Sequence, residues 1–231
     1  MADEELIQRI RAALERDPGV NPHRDPLRVV PDEPLALEGE VETIEVKRRA
    51  MAAAREAAGG THVADRLRLQ VSRERPDDEL AQAVLHHLIH EPAFNETALA
   101  EGAEPAPHHE GAWIGVTART GQVRLHGRTG SLSHRRLAEV LSWWTAGVAD
   151  VDNRIHVEPP EQDSDDEIAD AIRLVLDKES CLDAEQIGVQ VRARKVHLTG
   201  LVDTEEGRRI ASFDCWYVAG VHDVVNDIRL P

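Results

Sequence analysis

The sequence is poor in cysteine, in aromatic residues and in long apolar runs. Its 231 residues include two Cys and, as aromatic side chains, four Trp, two Phe and one Tyr. Cys181 and Cys215 leave open a single bridge, but they exclude a fold held together by several disulfides. No apolar run approaches the roughly 20 residues that cross a bilayer, so we predict no integral membrane segment.

Basic residues are also outnumbered, with 27 Lys and Arg against 43 Asp and Glu, which gives a net charge of −16 at pH 7. Nucleic acids are bound by clustered basic residues that neutralise phosphates, and single strands also need aromatic stacking platforms. Anionic lipid surfaces likewise attract basic segments. The composition therefore predicts a globular protein without a nucleic-acid partner.

The beginning of the chain and its charge distribution give two further expectations. The first ten residues lack the basic region and apolar core of a secretory signal, so we expect a cytoplasmic protein with reduced thiols. The net charge becomes more negative along the chain, at −2 for residues 1–75, −6 for 76–160 and −8 for 161–231. Such a field favours cations, and either a weak site of carboxylate and carbonyl oxygens or simply a solubilising surface would account for it.

Repetition is the most informative property of the sequence. Three segments begin alike, at residues 3–6, 77–80 and 165–168, and each opens a series of apolar residues spaced four apart. This spacing forms one face of a helix, and the leading acidic residues favour a helix N-terminus. The three series are Leu6, Ile10 and Leu14; Leu80, Val84 and Leu88; and Ile168, Ile172 and Leu176.

Each helix is followed by alternating apolar residues, the period of a half-buried strand. Two such runs with a polar turn predict a β-hairpin in the second and third segments, while Pro31 and Pro34 make the first hairpin less regular. Six glycines recur in register, three at strand ends and three, twenty residues later, at the end of a second helix. We interpret all six as structural, because no phosphate-binding glycine pattern is present; they are Gly39, Gly127, Gly200, Gly59, Gly147 and Gly220.

Together these elements predict an α+β fold of three tandem α-β-β-α-β repeats. In each repeat, two helices are expected to pack on a three-stranded sheet and to cover one of its faces. The expected boundaries are residues 1–75, 76–160 and 161–231. An insertion at about 94–111 of the second repeat lacks a hydrophobic period, so we predict a mobile loop there.

The order of these motifs resembles the BON domain, the bacterial osmotically-inducible-protein and nodulation module. The resemblance rests on Val-x-Leu-x-Gly, a helix containing alanine, and Gly-Val-x-x-Val-x-Asn-x-Ile. The third repeat matches it at residues 196–200 and 220–228, and the second at residues 123–127 and 147–155. The first repeat departs from it, with Asp65 where the others have asparagine. The three repeats together cover nearly the whole chain.

The resemblance implies a non-enzymatic binding or scaffolding protein linked to osmotic, ionic or envelope stress. The alternative is a cytoplasmic sensor of a cation, with potassium or calcium as the candidate. A protein partner or another copy of the chain is expected, and a lipid surface enters only through the resemblance. No nucleophile elbow is present, and no Cys/His motif surrounds Cys181 or Cys215, so we predict no catalytic residue and no cofactor beyond weak cation binding.

Histidine is enriched, with twelve in the chain. His86 and His90 stand four apart on the first helix of the second repeat, a spacing at which two imidazoles can share a metal. Residues 108–110, with the sequence His-His-Glu, could add ligands from the insertion. The alternative is a solvated helix face beside a polar loop.

The aromatic pairs Trp143-Trp144 and Trp216-Tyr217 occupy the same columns of the repeat. Apolar spacing places Trp144 on the core stripe of its helix, and it likewise places Phe213 and Tyr217 on the stripe of the third repeat. Trp143 and Trp216 then lie at or beyond the edge of these stripes. We predict that Trp143 and Trp216 bury against another repeat or another chain; the alternative is that both cap their own core.

Overall fold

The fold is an α-β-β-α-β unit repeated three times, as seen in a computed structural model that describes residues 4–21, 24–103 and 111–231. The helices are α1 Glu4–Arg16, α2 Ile44–Ala58, α3 Asp77–Ile89, α4 Leu132–Trp143, α5 Asp165–Leu176 and α6 Glu205–Tyr217. The strands are β1 Arg28–Val30, β2 Ala36–Val41, β3 Ala64–Leu69, β4 Ala98–Glu101, β5 Trp113–Arg119, β6 Gln122–Thr129, β7 Asp150–Val157, β8 Ile187–Arg192, β9 Lys195–Leu201 and β10 Asp223–Arg229.

The three sheets share one topology, which confirms the predicted α+β class. Their strand orders are β1-β2-β3, β4-β5-β6-β7 and β10-β9-β8. In each repeat the hairpin strands are antiparallel, and the last strand runs parallel to the second hairpin strand. A parallel neighbour needs a crossover connection, which the second helix of each repeat supplies. The last strand, β3, β7 or β10, is therefore an edge strand of its sheet.

The insertion of the second repeat is ordered where it is described, so the predicted mobile loop is wrong for residues 94–103. A short 3-10 helix at Pro92–Phe94 buries Phe94 to 2% exposure, and β4 then pairs in parallel with β5. Backbone pairing at the free edge of the hairpin orders a segment that has no hydrophobic period of its own. The second sheet consequently has four strands instead of three. Residues 104–110, with the His-His-Glu of the suggested metal site, lie outside the described residues.

The repeated glycines have positive φ, but only some lie where the pattern placed them. Gly39, Gly127 and Gly200 lie within strands instead of ending them. At each of these positions a Cβ would collide with a backbone carbonyl at the start of the first hairpin strand, which explains the absence of a side chain. Gly59 is a left-handed helix C-cap, whereas Gly147 and Gly220 lie in turns a few residues beyond the helix ends.

The chain divides into two compact parts, residues 1–70 with the first repeat and residues 71–231 with the second and third. Helix starts are fixed by hydroxyl caps that accept the N–H of the third helical residue, at Thr43, Ser131, Ser164 and Thr204. Both cysteines are free, Cys181 exposed and Cys215 buried. No helix in the described part of the chain is both long and apolar enough to cross a membrane.

Candidate functional site

The asparagine shared by the second and third repeats joins the edge strand to the helix before it. Asn153 in β7 donates from Nδ2 to the carbonyl of Arg135 at 2.9 Å, and Asn226 in β10 donates to the carbonyl of Arg208 at 2.7 Å. Each Oδ1 accepts the backbone N–H two residues later, at 3.2 and 3.1 Å. These asparagines therefore satisfy backbone groups on an unpaired edge, which is a structural role.

The first repeat makes the same connection with an ion pair. Asp65 replaces the asparagine, and Lys47 stands in the column of Arg135 and Arg208, eight residues after the strand glycine. Lys47 Nζ donates to Asp65 Oδ1 at 2.8 Å and to the carbonyl of Leu67 at 2.5 Å. The Lys47 side chain is only 4% exposed, whereas that of Asp65 is 28% exposed, so the ammonium group lies inside and the carboxylate reaches the surface.

Helix α4 forms the interface between the second and third repeats. Every residue from Arg136 to Trp143 is buried, although an amphipathic helix on a single sheet would keep one face in water. The helix contacts β6 and β7 of its own sheet on one side and α5 and α6 of the third repeat on the other. The two repeats therefore share one continuous interface.

Arg136 is the central polar contact of this interface. Its Nε donates to the carbonyl of Ala219 at 3.0 Å, and its terminal nitrogen donates to Asp163 Oδ1 at 2.6 Å. Burial raises the pKa of Asp163, but the hydrogen bond and charge of Arg136, with those of Arg194, outweigh it and hold this pKa below its usual value. Arg136 thus clamps the loop before α5 and the turn after α6 to the second repeat.

The equivalent arginine of the third repeat shows what the interface changes. Arg209 is 75% exposed and pairs with Glu206 on its own helix. The Arg136 side chain is 5% exposed, because the third repeat covers it. A second ion pair crosses the same boundary, since Lys178 Nζ lies 3.0 Å from the mostly buried Oε1 of Glu91.

Trp143 and Trp216 are both buried, at 6% and 2% exposure. The predicted core stripe is wrong in the third repeat, because Phe213 is 37% exposed and its ring packs edge-on against Tyr217. Helix α6 instead buries Ala211, Asp214, Cys215 and Trp216, so its buried face is rotated away from the predicted stripe. Trp143 lies on the helix that the third repeat covers. An interface role for Trp143 and Trp216 stays a prediction.

A carboxyl group is also buried on α6. Asp214 is 4% exposed, its Oδ2 has no hydrogen-bond partner within the described residues, and it shares a hydrogen bond with Glu179. Burial, followed by the charge and hydrogen bond of Glu179, raises the pKa of Asp214 to about 7. Burial also raises the pKa of Cys215, which makes a reactive thiolate at neutral pH unfavourable.

His86 and His90 are exposed near the end of α3, with ring centroids 4.1 Å apart. Nδ1 of His90 donates to the carbonyl of His86 at 2.8 Å, so one nitrogen of this ring is already engaged. Within residues 4–21, 24–103 and 111–231, no group of three His, Cys, Asp or Glu is placed to hold a metal. Zinc binding by this pair stays a prediction.

The sheet of the second repeat has a basic side, the one that points away from the helices. Apolar residues such as Val123, Leu125 and Ile155 point to the helices, so the alternate residues of β5, β6 and β7 point outward. The repeat has six arginines and no lysine, and four of these arginines lie on this side. We call the following residues the basic face: Arg119, Arg124, Arg128, Arg154, His126 and His156.

Carboxylates orient the arginines of the basic face without covering them. The Nε atoms of Arg124 and Arg154 both donate to Asp152 Oδ2, at 2.7 and 2.9 Å, and their terminal nitrogens make no hydrogen bond to the described residues. Arg128 Nε donates to the carbonyl of Gly111 at 2.6 Å, and Glu158 lies 3.5 Å away. The Arg124, Arg128 and Arg154 side chains keep exposures of 39%, 35% and 58%.

Two rings complete this face. Burial, followed by the charges of Arg124 and Arg154, lowers the pKa of His126, so the positive charge at neutral pH comes from the arginines. Next to His126, the Trp113 indole covers Gly115, where an added Cβ would lie 3.2 Å from the ring. Trp113 is partly buried and is paired across the hairpin with Arg128, so its indole lies on the same side of the sheet as the arginines.

The other repeats do not keep the three central arginines of this face together, although Arg192 and Arg229 of the third repeat stand in the columns of Arg119 and His156. In the third repeat, His197, Leu201 and Asp227 stand in the columns of Arg124, Arg128 and Arg154. In the first repeat, the corresponding residues are Ala36, Glu40 and Arg66. Our sequence reasoning followed the apolar residues of β6 and missed the basic ones at the alternate positions. The signal was Arg-x-His-x-Arg at residues 124–128, but only strand pairing adds Arg154 to it.

Comparison with known proteins identifies the repeated unit. The model of the BON domain family matches residues 2–71, 76–159 and 164–231. No curated protein sequence matches the chain. Two structures of CdsD, a structural protein of the type III secretion system of Chlamydia trachomatis, align with it. Its C-terminal domain is 14% identical, with 100% of both chains covered, and the other structure is 16% identical, with 98% of this chain and 92% of that one covered. Both have TM-scores of 0.26 and bear on neither the fold nor the function of this chain.

Proposed function

Because the chain belongs to the BON domain family, we propose that it is a non-enzymatic binding and scaffolding protein of the osmotic, ionic or envelope stress response. The observation that supports this role most directly is the burial of α4 between its own sheet and the third repeat. A helix enclosed in this way joins the two repeats into one compact unit. The outer side of the second sheet, with its exposed arginines, is then a surface that such a scaffold presents.

Cells that lack this protein are expected to grow normally at low osmolarity and poorly after a salt upshift. The wild-type chain should restore growth, while Arg136→Ala should restore it poorly, because this change removes the clamp at Ala219 and Asp163. Arg209→Ala is the matched control, since it removes an exposed arginine from the same column. Equal growth of cells with and without the protein under every osmotic condition would contradict the proposal.

The alternative function, a sensor of one cation, can be tested by thermal unfolding in different salts. If the protein is a scaffold, we expect its melting temperature to rise equally in sodium, potassium and choline chlorides at the same ionic strength. Calcium chloride at matched ionic strength should give no additional rise. The reason is that an acidic protein gains from general screening of its charge. Differential scanning fluorimetry measures this directly. A rise with a single cation, well above that of the other salts, would favour the sensor instead.

A further inference from the structure

We propose that the basic face binds a short acidic segment of a protein partner, held in an extended conformation. This inference rests on the proposed scaffolding function and names the chemistry of its partner. The basic face carries four of the six arginines of a repeat whose net charge is −6, so this positive surface is local. In each of the other two repeats, at least two of the three arginines Arg124, Arg128 and Arg154 are replaced by another residue type.

The spacing of the face suits an extended peptide. Arg124, His126 and Arg128 alternate along β6, so neighbouring members of this row stand about 6.8 Å apart. Arg154 on β7 is paired with His126, about 4.8 Å to the side. An extended chain with Glu or Asp at every second position repeats its carboxylates at the same 6.8 Å or so. Such a segment can therefore place successive carboxylates over one row of basic residues.

The arginines are also prepared for this ligand. Asp152 holds both Arg124 and Arg154 through Nε, which leaves the terminal nitrogens of each guanidinium to form paired hydrogen bonds with a carboxylate. The fixed side chains lose little conformational entropy on binding. Trp113 adds an apolar surface for side chains between the carboxylates.

The charge of the whole chain restricts the length of the ligand. A long nucleic acid or an anionic membrane would extend beyond the face into the field of a protein with a net charge of −16. At 0.1 M salt the Debye length is about 10 Å, so acidic residues closer than this to the ligand still repel it. A short acidic segment stays within the positive surface, so it is favoured over both.

The test uses the full chain and a fluorescein-labelled peptide of six residues, with three Glu at alternate positions and Ser between them, so that its extended length is close to that of the basic row. Fluorescence anisotropy at low salt is expected to show binding that weakens as salt is added. A peptide with Gln in place of Glu should not bind. The triple variant Arg124→Gln, Arg128→Gln and Arg154→Gln should bind at least about tenfold more weakly, because it loses three exposed ion pairs.

A matched control removes three positive charges from the outer sheet face of the third repeat, with Arg192→Gln, Lys195→Gln and Arg229→Gln. This variant should bind within about twofold of the wild type. Equal losses in both variants would overturn the inference, since they would show an effect of net charge alone. Circular dichroism of both variants verifies that the fold is intact.

Other occupants give different results with the same variants. Tighter binding of vesicles rich in phosphatidylserine, or of a 20-nucleotide single strand, would overturn the choice of an acidic segment. A dimer in sedimentation velocity that the Arg124, Arg128 and Arg154 variant abolishes would show a second copy on this face, and would also overturn it. If no acidic peptide binds while the wild-type chain still restores growth after a salt upshift, this inference fails and the proposed function stands.

Discussion

Replacing Asp65 with alanine is expected to lower the free energy of unfolding of the first repeat by about 1–3 kcal/mol, because the Lys47 side chain is 4% exposed but that of Asp65 is 28% exposed. Lys47 is almost fully buried, and its ammonium group donates to Asp65 and to the carbonyl of Leu67. Without the carboxylate, the almost fully buried ammonium group of Lys47 loses the counter-charge of Asp65 and must be compensated by its remaining contacts and by water entering at the position of Asp65. This change is therefore more harmful than the loss of a surface pair.

The measurement can be confined to the first repeat. All four tryptophans lie in residues 71–231, so their fluorescence follows the other compact part of the chain. Urea unfolding of Asp65→Ala should show an early transition by far-UV circular dichroism, while the tryptophan transition stays in place. Asp32→Ala is the control, because its pair with Arg66 is about half exposed and should contribute less than about 1 kcal/mol.

A double variant tests the reason for this effect. Lys47→Met with Asp65→Asn removes the buried charge and restores the asparagine found in the other repeats, so it should recover most of the lost stability. If Asp65→Ala alone leaves the first transition unchanged, the Lys47–Asp65 pair does not hold the edge strand to the helix.

Replacing Asp214 with asparagine is expected to stabilise the second and third repeats at pH 8 by roughly 2–4 kcal/mol. Burial and Glu179 raise the pKa of Asp214 to about 7 in the folded chain, against an ordinary value of 3.8. The folded state therefore binds this proton more tightly than the unfolded state. The stabilising contribution of protonated Asp214 is fully present below about pH 4, and it is lost as the pH rises through about 7.

Asparagine cannot ionise, and its amide can donate to Glu179. The free energy of unfolding of Asp214→Asn should therefore change less between pH 4 and 8 than that of the wild type. Urea unfolding followed by tryptophan fluorescence at several pH values measures this difference. Asp170→Asn, an exposed aspartate on α5, should leave the pH dependence as it is in the wild type. Parallel curves for Asp214→Asn and the wild type would mean that Asp214 has an ordinary pKa.

The sequence by itself determined the repeat, the order of its elements and the family. Apolar residues that recur every two or about every 3.6 positions, together with the spacing of the glycines, indicate these properties. Both patterns depend on residues that are close to one another in the chain. Gly127 is an example, since the sequence alone shows that the glycine recurs at the same place in every repeat, whereas its position inside a strand and its close approach to the Trp113 carbonyl are seen only in the structure. Comparison of equivalent positions in the sequence likewise shows that Asp65 departs from the asparagine of the other two repeats.

The tertiary structure decided which groups are buried and which surface carries charge. The column of Arg136 and Arg209 shows the reason, because arginines at equivalent positions of equivalent helices are buried or exposed according to whether another repeat packs on them. Strand pairing likewise brought Arg154 beside His126, which lies 28 residues earlier in the chain. The pairing of β4 and the burial of Asp214 also depend on contacts between residues that are far apart in the chain. Such contacts produce no hydrophobic period in a single sequence.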